Sequence, residues 1–233
     1  DVYSCRQTGF AMLASGSVQE VMDLGSVAHL AAIKGRVPFL HFFDGFRTSH
    51  EIQKIEVIEY DELAQLVDQD KLKAFRDACL NPESPVTRGL AMNPDIFFQV
   101  REAATPYYEA IPDIVADYMA EISKLTGRTY APFKYYGAPD AEHVVIAMGS
   151  ITDTITEAVD VLVGRGEKVG LVSVHLYRPF SEKYLMKALP ESVKKIAVLD
   201  RAREYGANGG PLYQELREIF YDKTNKPTII NGT

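Results

Sequence analysis

Four residues with reactive or charged side chains fall within eight positions: Asp44, Arg47, His50 and Glu51. They follow directly on an apolar run, Val37 to Phe43. An imidazole titrates near neutrality. A guanidinium grips a carboxylate or phosphate through two parallel hydrogen bonds. If the run is a parallel strand, the cluster sits at its carboxyl end, where α/β proteins bind ligands. Asp–Arg and Glu–His pairs also serve as plain ion-pair corners between packed surfaces. The residues alone leave both readings open. A second candidate is the loop Gly206 to Gly210, read as "GANGGPLY", which leads into a helix. Helix N-termini offer free N–H groups to anions, so Gly206, Gly209 and Gly210 form a weak anion-site candidate. The loop has neither the dinucleotide glycine pattern nor a P-loop lysine.

The remaining reactive types carry less. His29 and His41 sit among apolar neighbours and read as core imidazoles. His143 and His175 begin or interrupt strands, with no carboxylate or serine at a partnering distance in sequence. Arg178-Pro179-Phe180 reads as a strand-end turn whose arginine is free for an anion or an interface. Cys5 and Cys79 are the only cysteines. They have no metal-ligand spacing and read as free thiols, so no metal site is expected in this chain. No nucleophile elbow, HExxH or Walker pattern occurs, and no catalytic residue is assigned.

The elements that position these residues follow from periodicity. Phe10–Ala14 reads as a buried strand. Ser17 and Glu20 fit a capping box that opens a helix from Val18 to Lys34, stopped by Gly35. Val37–Phe43 is the next strand. Strand, helix and strand make a right-handed crossover. A more polar stretch follows, with short helices or turns to Leu80. Residues 81–94 hold three prolines and a glycine and read as an extended connection. A helix is predicted from Pro106 to Leu125, with Pro112 near its start. Thr126–Glu142 is a linker by composition. Strands are then expected at Val144–Met148, Lys168–Leu176, Lys195–Asp200 and Pro227–Asn231. Helices are expected at about 152–163, 181–189 and 212–220. Alternation of this kind means a mostly parallel α/β sheet.

The chain has 233 residues and 46% hydrophobic content, enough for two domains with proper cores. A net charge of -7 gives no basic footprint for nucleic acid or an anionic membrane. No apolar stretch approaches the roughly 20 residues a membrane helix needs. The start lacks an initiator Met, and both ends read as cuts through a longer polypeptide.

Longer motifs carry a family resemblance. "RQTGFAMLASGSVQEVMDLGSVAHLAAI", "VPFLHFFDGFRTSHEIQKIE" and "NPDIFFQVREAATPYYEAIPDIVADYM" resemble the later part of the pyrimidine-binding domain of pyruvate:ferredoxin (flavodoxin) oxidoreductases. "GAPDAEHVVIAMGSITDTI", "VHLYRPF" and "VLDRAREYGANGGPLY" resemble the next, transketolase C-terminal-like domain. The resemblance implies two mostly parallel three-layer α/β/α domains. Residues 1–130 are the later part of a thiamine-diphosphate-binding fold whose sheet lacks its opening strands. Residues 131–233 are the transketolase C-terminal-like domain. The implied parent is a cytoplasmic, homo-oligomeric enzyme. It cleaves pyruvate oxidatively with CoA, giving acetyl-CoA and carbon dioxide, and reduces ferredoxin or flavodoxin. Its cofactors are thiamine diphosphate, magnesium and [4Fe-4S] clusters. The family's activating Glu and substrate-facing residues map upstream of Asp1. Its diphosphate motif and cluster cysteines map downstream. No cofactor site is therefore expected to be complete here, and the missing domains are the expected partners. Where the family often has Gly-Asp before Pro-Leu-Tyr, this chain has Gly209-Gly210. Asp44, Arg47, His50 and Glu51 are then expected to support the site from behind or to form an interdomain corner. The competing expectation is a free-standing α/β module that binds a nucleotide or cofactor through Gly206–Gly210.

Overall fold

The computed structural model describes residues 1–46, 48–87 and 91–232. In chain order the elements begin with β1 (Ala11–Ala14), α1 (Val18–Gly35), β2 (Phe39–Phe42), α2 (Tyr60–Gln65), α3 (Gln69–Asp77) and α4 (Pro94–Thr126). Then come β3 (Phe133–Gly137), β4 (His143–Ala147), α5 (Ile151–Gly164), β5 (Val169–Val174) and β6 (Leu176–Arg178). The last are α6 (Glu182–Ala188), β7 (Lys195–Leu199), α7 (Pro211–Ile219) and β8 (Thr228–Gly232). The fold is the expected α/β class, with two sheets. One has the order β2-β1-β6 and the other β3-β5-β4-β7-β8. Pairing is parallel except for β6 against β1 and β3 against β5.

The expected single strand Lys168–Leu176 is instead two strands in different sheets. β5 lies in the five-stranded sheet, and after His175 the chain continues as β6 beside β1. The later half of the chain therefore supplies a strand to the sheet of the earlier half. Side chains alternate along a strand, and the three-stranded sheet uses both of its faces. Ala11, Leu13 and Leu176 join the core made with α1 and α4. Met12 and Tyr177 join a second core with β4, β5, β7, α6 and α7. Ala147, Ile155, Val159 and Leu171 form a smaller core under α5, on the opposite face of the larger sheet.

The cap of α1 forms where Ser17 was expected: its hydroxyl accepts from Glu20 N at 3.2 Å. The helix end differs from expectation. Arg36, with φ 57°, is the left-handed residue, and Gly35 is the last helical one. Gly35 has a packing reason instead: a Cβ there would overlap Ile111 Cδ1 of α4. Helix α4 is longer than its apolar spacing implied. It starts at Pro94, so both Pro106 and Pro112 lie inside it. Ile111, Val115, Tyr118, Met119 and Ile122 bury one face against the α1 core. That burial outweighs the roughly 3 kcal/mol an interior proline costs. His29 is exposed rather than a core imidazole, because α1 buries one face only.

The stretch read as a linker is anchored. Asp23 of α1 is fully buried. Arg128 Nε and Nη2 donate to its two oxygens at 2.7 and 3.2 Å. Tyr130 Oη donates to it at 2.5 Å. Arg128 Nη1 also reaches Glu56 at 2.5 Å. Composition alone missed this tie, and it missed β3, which begins three residues after Tyr130. A buried carboxylate is tolerated because its charge and lone pairs are met. Asp23→Ala leaves the Arg128 guanidinium and the Tyr130 hydroxyl without this acceptor. Urea unfolding of that variant is expected to show a loss of about 3 kcal/mol. A loss under about 1 kcal/mol, the scale of a surface pair, would contradict the anchor.

Candidate functional site at the seam between the sheets

The parallel strands of both sheets end at one seam. β1 and β2 from the smaller sheet run into Ser15 and Asp44, and β4 and β7 from the larger run into Gly149 and Asp200. Carboxyl ends of parallel strands are where α/β folds hold ligands. A cleft of about 640 Å³ opens there between Tyr3, Phe43, Asp44, Gly149 and Arg201. A smaller one of about 250 Å³ lies alongside, bounded by Ser17, Asp44, Glu51 and Ser150.

Asp44 is the polar centre of the seam. Its Oδ2 accepts from Ser150 N at 2.6 Å and from Ser150 Oγ at 2.5 Å. Its Oδ1 meets Arg201 Nη1 at 2.6 Å. The Asp44 side chain is 17% exposed, whereas that of Arg201 is 61% exposed. The ion pair is thus the weaker element and the Ser150 bonds the stronger. Gly149, with φ 86°, is needed at this turn, since a Cβ would stand 2.8 Å from Asp44 Oδ2. The helix end of α5 is therefore met by a carboxylate from the other sheet.

No hydrogen bond or ion pair joins His50 or Glu51 to Asp44, although Glu51 helps to bound the smaller cleft. Arg47 lies outside the described residues. His50 sits on a short exposed turn, Thr48–His50. Glu51 is exposed and accepts from Gln53 Nε2 at 3.0 Å. Among the three described candidates, Asp44 is the one whose contacts tie the two sheets together.

The glycine loop has a different occupant from the one its composition suggested. Asp200, at the end of β7 and 4% exposed, accepts from Leu212 N at 3.2 Å and Tyr213 N at 3.1 Å. Tyr3 Oη donates to it at 2.8 Å. A Cβ on Gly210 would overlap this carboxylate, and one on Gly209 would overlap the Tyr213 ring. The N-terminus of α7 is filled by an internal anion. Burial pushes the Asp200 carboxyl up, against the pull of Tyr3 and the two amides. Gly206, with φ 81°, supplies the turn before the loop closes on Asp200.

Sequence reasoning left His175 and His41 without partners and gave Glu20 only Ser17, because their other partners are distant in the chain. His175 is 3% exposed. Its Nδ1 lies 2.8 Å from Ala131 O and its Nε2 lies 3.2 Å from Glu20 Oε1. Glu20 does not close the reciprocal half of a capping box onto Ser17. Its Oε2 instead accepts from Gly16 N at 2.6 Å. Burial pushes the Glu20 carboxyl up, but the His175 contact and the Gly16 amide hold it down at about 2. Ser15 Oγ lies 2.8 Å from His41 Nε2. Ser15 is 1% exposed, at the floor of the two clefts, and His41 is half-buried. Burial, and then the nearby His29, lower the His41 pKa. Arg178 is not free either: its Nη2 meets Glu215 at 2.5 Å. Among the described residues, no group of three or more His, Cys, Asp or Glu is arranged to hold a metal ion. At the seam, the three helix ends that could take a diphosphate already carry Glu20, Asp44 and Asp200. These residues do not fit thiamine diphosphate or its magnesium without displacing an internal carboxylate.

Two consequences are measurable. Glu20 has its carboxyl depressed on folding, so its contribution is complete above about pH 4.5 and is lost as the pH falls toward 2. Its size is about 3 kcal/mol. Glu20→Gln is expected to flatten the acid limb of a stability–pH profile over that window; an unchanged limb would contradict the assignment. Separately, Asp44→Ala is expected to cost about 2 kcal/mol in urea unfolding and Arg201→Ala under about 1 kcal/mol. Equal costs would mean that the ion pair, not Ser150, carries the corner.

Comparison with known proteins agrees with this architecture. Residues 1–120 match the family model described as pyruvate flavodoxin/ferredoxin oxidoreductase, thiamine diphosphate-binding. Residues 141–233 match pyruvate:ferredoxin oxidoreductase core domain II. The pyruvate-flavodoxin oxidoreductase of Enterobacter agglomerans is 58% identical over 232 residues, covering 100% of this chain and 20% of the relative. The pyruvate:ferredoxin oxidoreductase of Moorella thermoacetica gives the same figures. The chain thus spans about a fifth of the length of these curated relatives. Among solved structures, the 2-oxoglutarate:ferredoxin oxidoreductase of Magnetococcus marinus aligns over 94% of this chain and 38% of its own. Its TM-score is 0.55 at 15% identity, a likeness of fold.

Proposed function

Since the chain belongs to the pyruvate flavodoxin/ferredoxin oxidoreductase family, we propose that it is a structural core of a larger pyruvate-oxidising enzyme. That enzyme oxidatively decarboxylates pyruvate with CoA. The products are acetyl-CoA and carbon dioxide, and two electrons pass to ferredoxin or flavodoxin. Thiamine diphosphate would supply the carbanion chemistry in that larger enzyme. The reading leaves no complete site for this cofactor, its magnesium or the [4Fe-4S] clusters within these 233 residues, and puts the enzyme in the cytoplasm.

One observation carries the assignment of this chain to scaffold. The polar groups at the seam are satisfied by one another: Asp44 by Ser150 and Arg201, Asp200 by Tyr3 and the α7 amides, Glu20 by His175 and Gly16. Ground-state pairing of this completeness suits a rigid support. Residues 1–130 and 131–233 act as two modules that share a sheet, and the seam sets the angle between them. Asp44, His50 and Glu51 face the side on which a neighbouring domain would rest.

The test uses the isolated chain and the full-length enzyme side by side, under anoxic conditions. With pyruvate, CoA and thiamine diphosphate, the full-length enzyme is expected to reduce a viologen dye. The isolated chain is expected to form no acetyl-CoA and to release no binding heat with thiamine diphosphate. Acetyl-CoA formation by the isolated chain would overturn the proposal.

A further inference from the structure

Helix α4 is two helices in its packing. Its 33 residues span roughly 50 Å. From Ile111 onward it buries a regular stripe. Before that, from Pro94 to Tyr107, no residue is buried. Ile96, Phe97, Phe98 and Val100 are 49%, 52%, 69% and 45% exposed. Phe97 and Phe98 lie about 100° and 200° around the axis from Ile96. With Val100 at about 40°, the apolar side chains span an arc of about 200°, and Asp95, Gln99 and Glu102 occupy the remaining side. An arc wider than the roughly 100° stripe of a surface helix calls for cover from more than one side. Left in water, this half has little tertiary packing beyond Arg36 over the Tyr107 ring, carries Pro106, and is about the length at which isolated helices become marginal.

No described helix is long and apolar enough to cross a membrane, and Asp95, Arg101 and Glu102 interrupt the apolar surface of this one. A two-fold contact with a second copy buries one stripe on each helix. It would leave Phe98 in water on the far side. An enclosing surface must reach the arm from more than one direction, and the molecule offers a seat for it. At the base of the arm, a crook of about 460 Å³ opens between Arg101, Ala104 and Tyr108 of α4 and Pro179-Phe180 before α6. About four fifths of the relatives' length lies outside the stretch this chain matches.

We propose that residues 94–107 form a docking arm, enclosed on more than one side by a surface of the same parent polypeptide lying outside residues 1–233. The occupant is an apolar groove whose wall enters the crook beside Phe180. This rests on the reading of the chain as part of a longer enzyme, but it does not depend on which 2-oxoacid that enzyme uses.

Hydrogen–deuterium exchange on the full-length enzyme tests it without a variant. Peptides covering 94–107 are expected to exchange as slowly as those covering 111–122, within about threefold. Exchange faster by a hundredfold or more, as for an unpacked surface helix, would overturn the docking arm. A photo-crosslinking phenylalanine analogue at position 98, in a mixture of isotopically light and heavy enzyme, then identifies the occupant. Cross-links within one polypeptide to residues outside this stretch support the proposal; cross-links to residues inside it, or joining light to heavy chains, would overturn it. Protection and intramolecular cross-links in an enzyme that fails to oxidise pyruvate would leave the arm standing and remove the functional reading instead.

Discussion

The structure depends on one residue changing sheets. His175 is the single position between β5 and β6, and those strands belong to different sheets. Its backbone N–H donates to Pro132 O at 3.0 Å and its carbonyl accepts from Ala14 N at 2.7 Å. Its ring meets Ala131 and Glu20. Every polar group of a buried residue is thereby paired, which is the condition for a strand to cross a core. The crossing places Leu176 in one hydrophobic core and Tyr177 in the other. The chain's two halves cannot separate without opening both.

The carboxylates follow from that geometry. Once the sheets meet with their strand ends together, helix N-termini and strand-end acids face one another across the seam. Free N–H groups at helix ends need acceptors, and here strand-end acids, and Glu20 of α1 itself, supply them. Asp44 reaches across to α5, Asp200 folds back onto α7, and Glu20 spans the loop after β1. The same helix ends that bind phosphates in other α/β proteins become internal joints. A seam built this way is stiff, and a stiff angle between modules is what a larger active site needs from its support.

Much of this order is legible in the sequence, and the failures have physical causes. The Ser17 cap, the strand at β1 and the alternation of strands and helices after residue 143 stand out because capping and periodicity are local signals. Motif resemblance identified the family. What stayed hidden involves distant partners. His175 and Glu20 are 155 positions apart, and Asp23 and Arg128 are 105 apart. No spacing rule links such pairs. Composition called residues 126–142 a linker because glycine, proline and tyrosine are common there, yet Arg128 and Tyr130 are its anchor. The sheet change at His175 was invisible because β5 and β6 read as one mostly apolar run, which does not say which sheet each half joins. The Gly206–Gly210 loop looked open to an anion because the sequence cannot show that Asp200 already fills it.

The central claim is that the two sheets form one cooperative body through the crossing at His175. Pulsed hydrogen exchange along a urea series, read on peptides covering β1 and β7, tests it most directly. The account predicts that both strands lose protection in one coincident transition with a common midpoint. Loss at β1 while β7 stays protected, or the reverse, would contradict it.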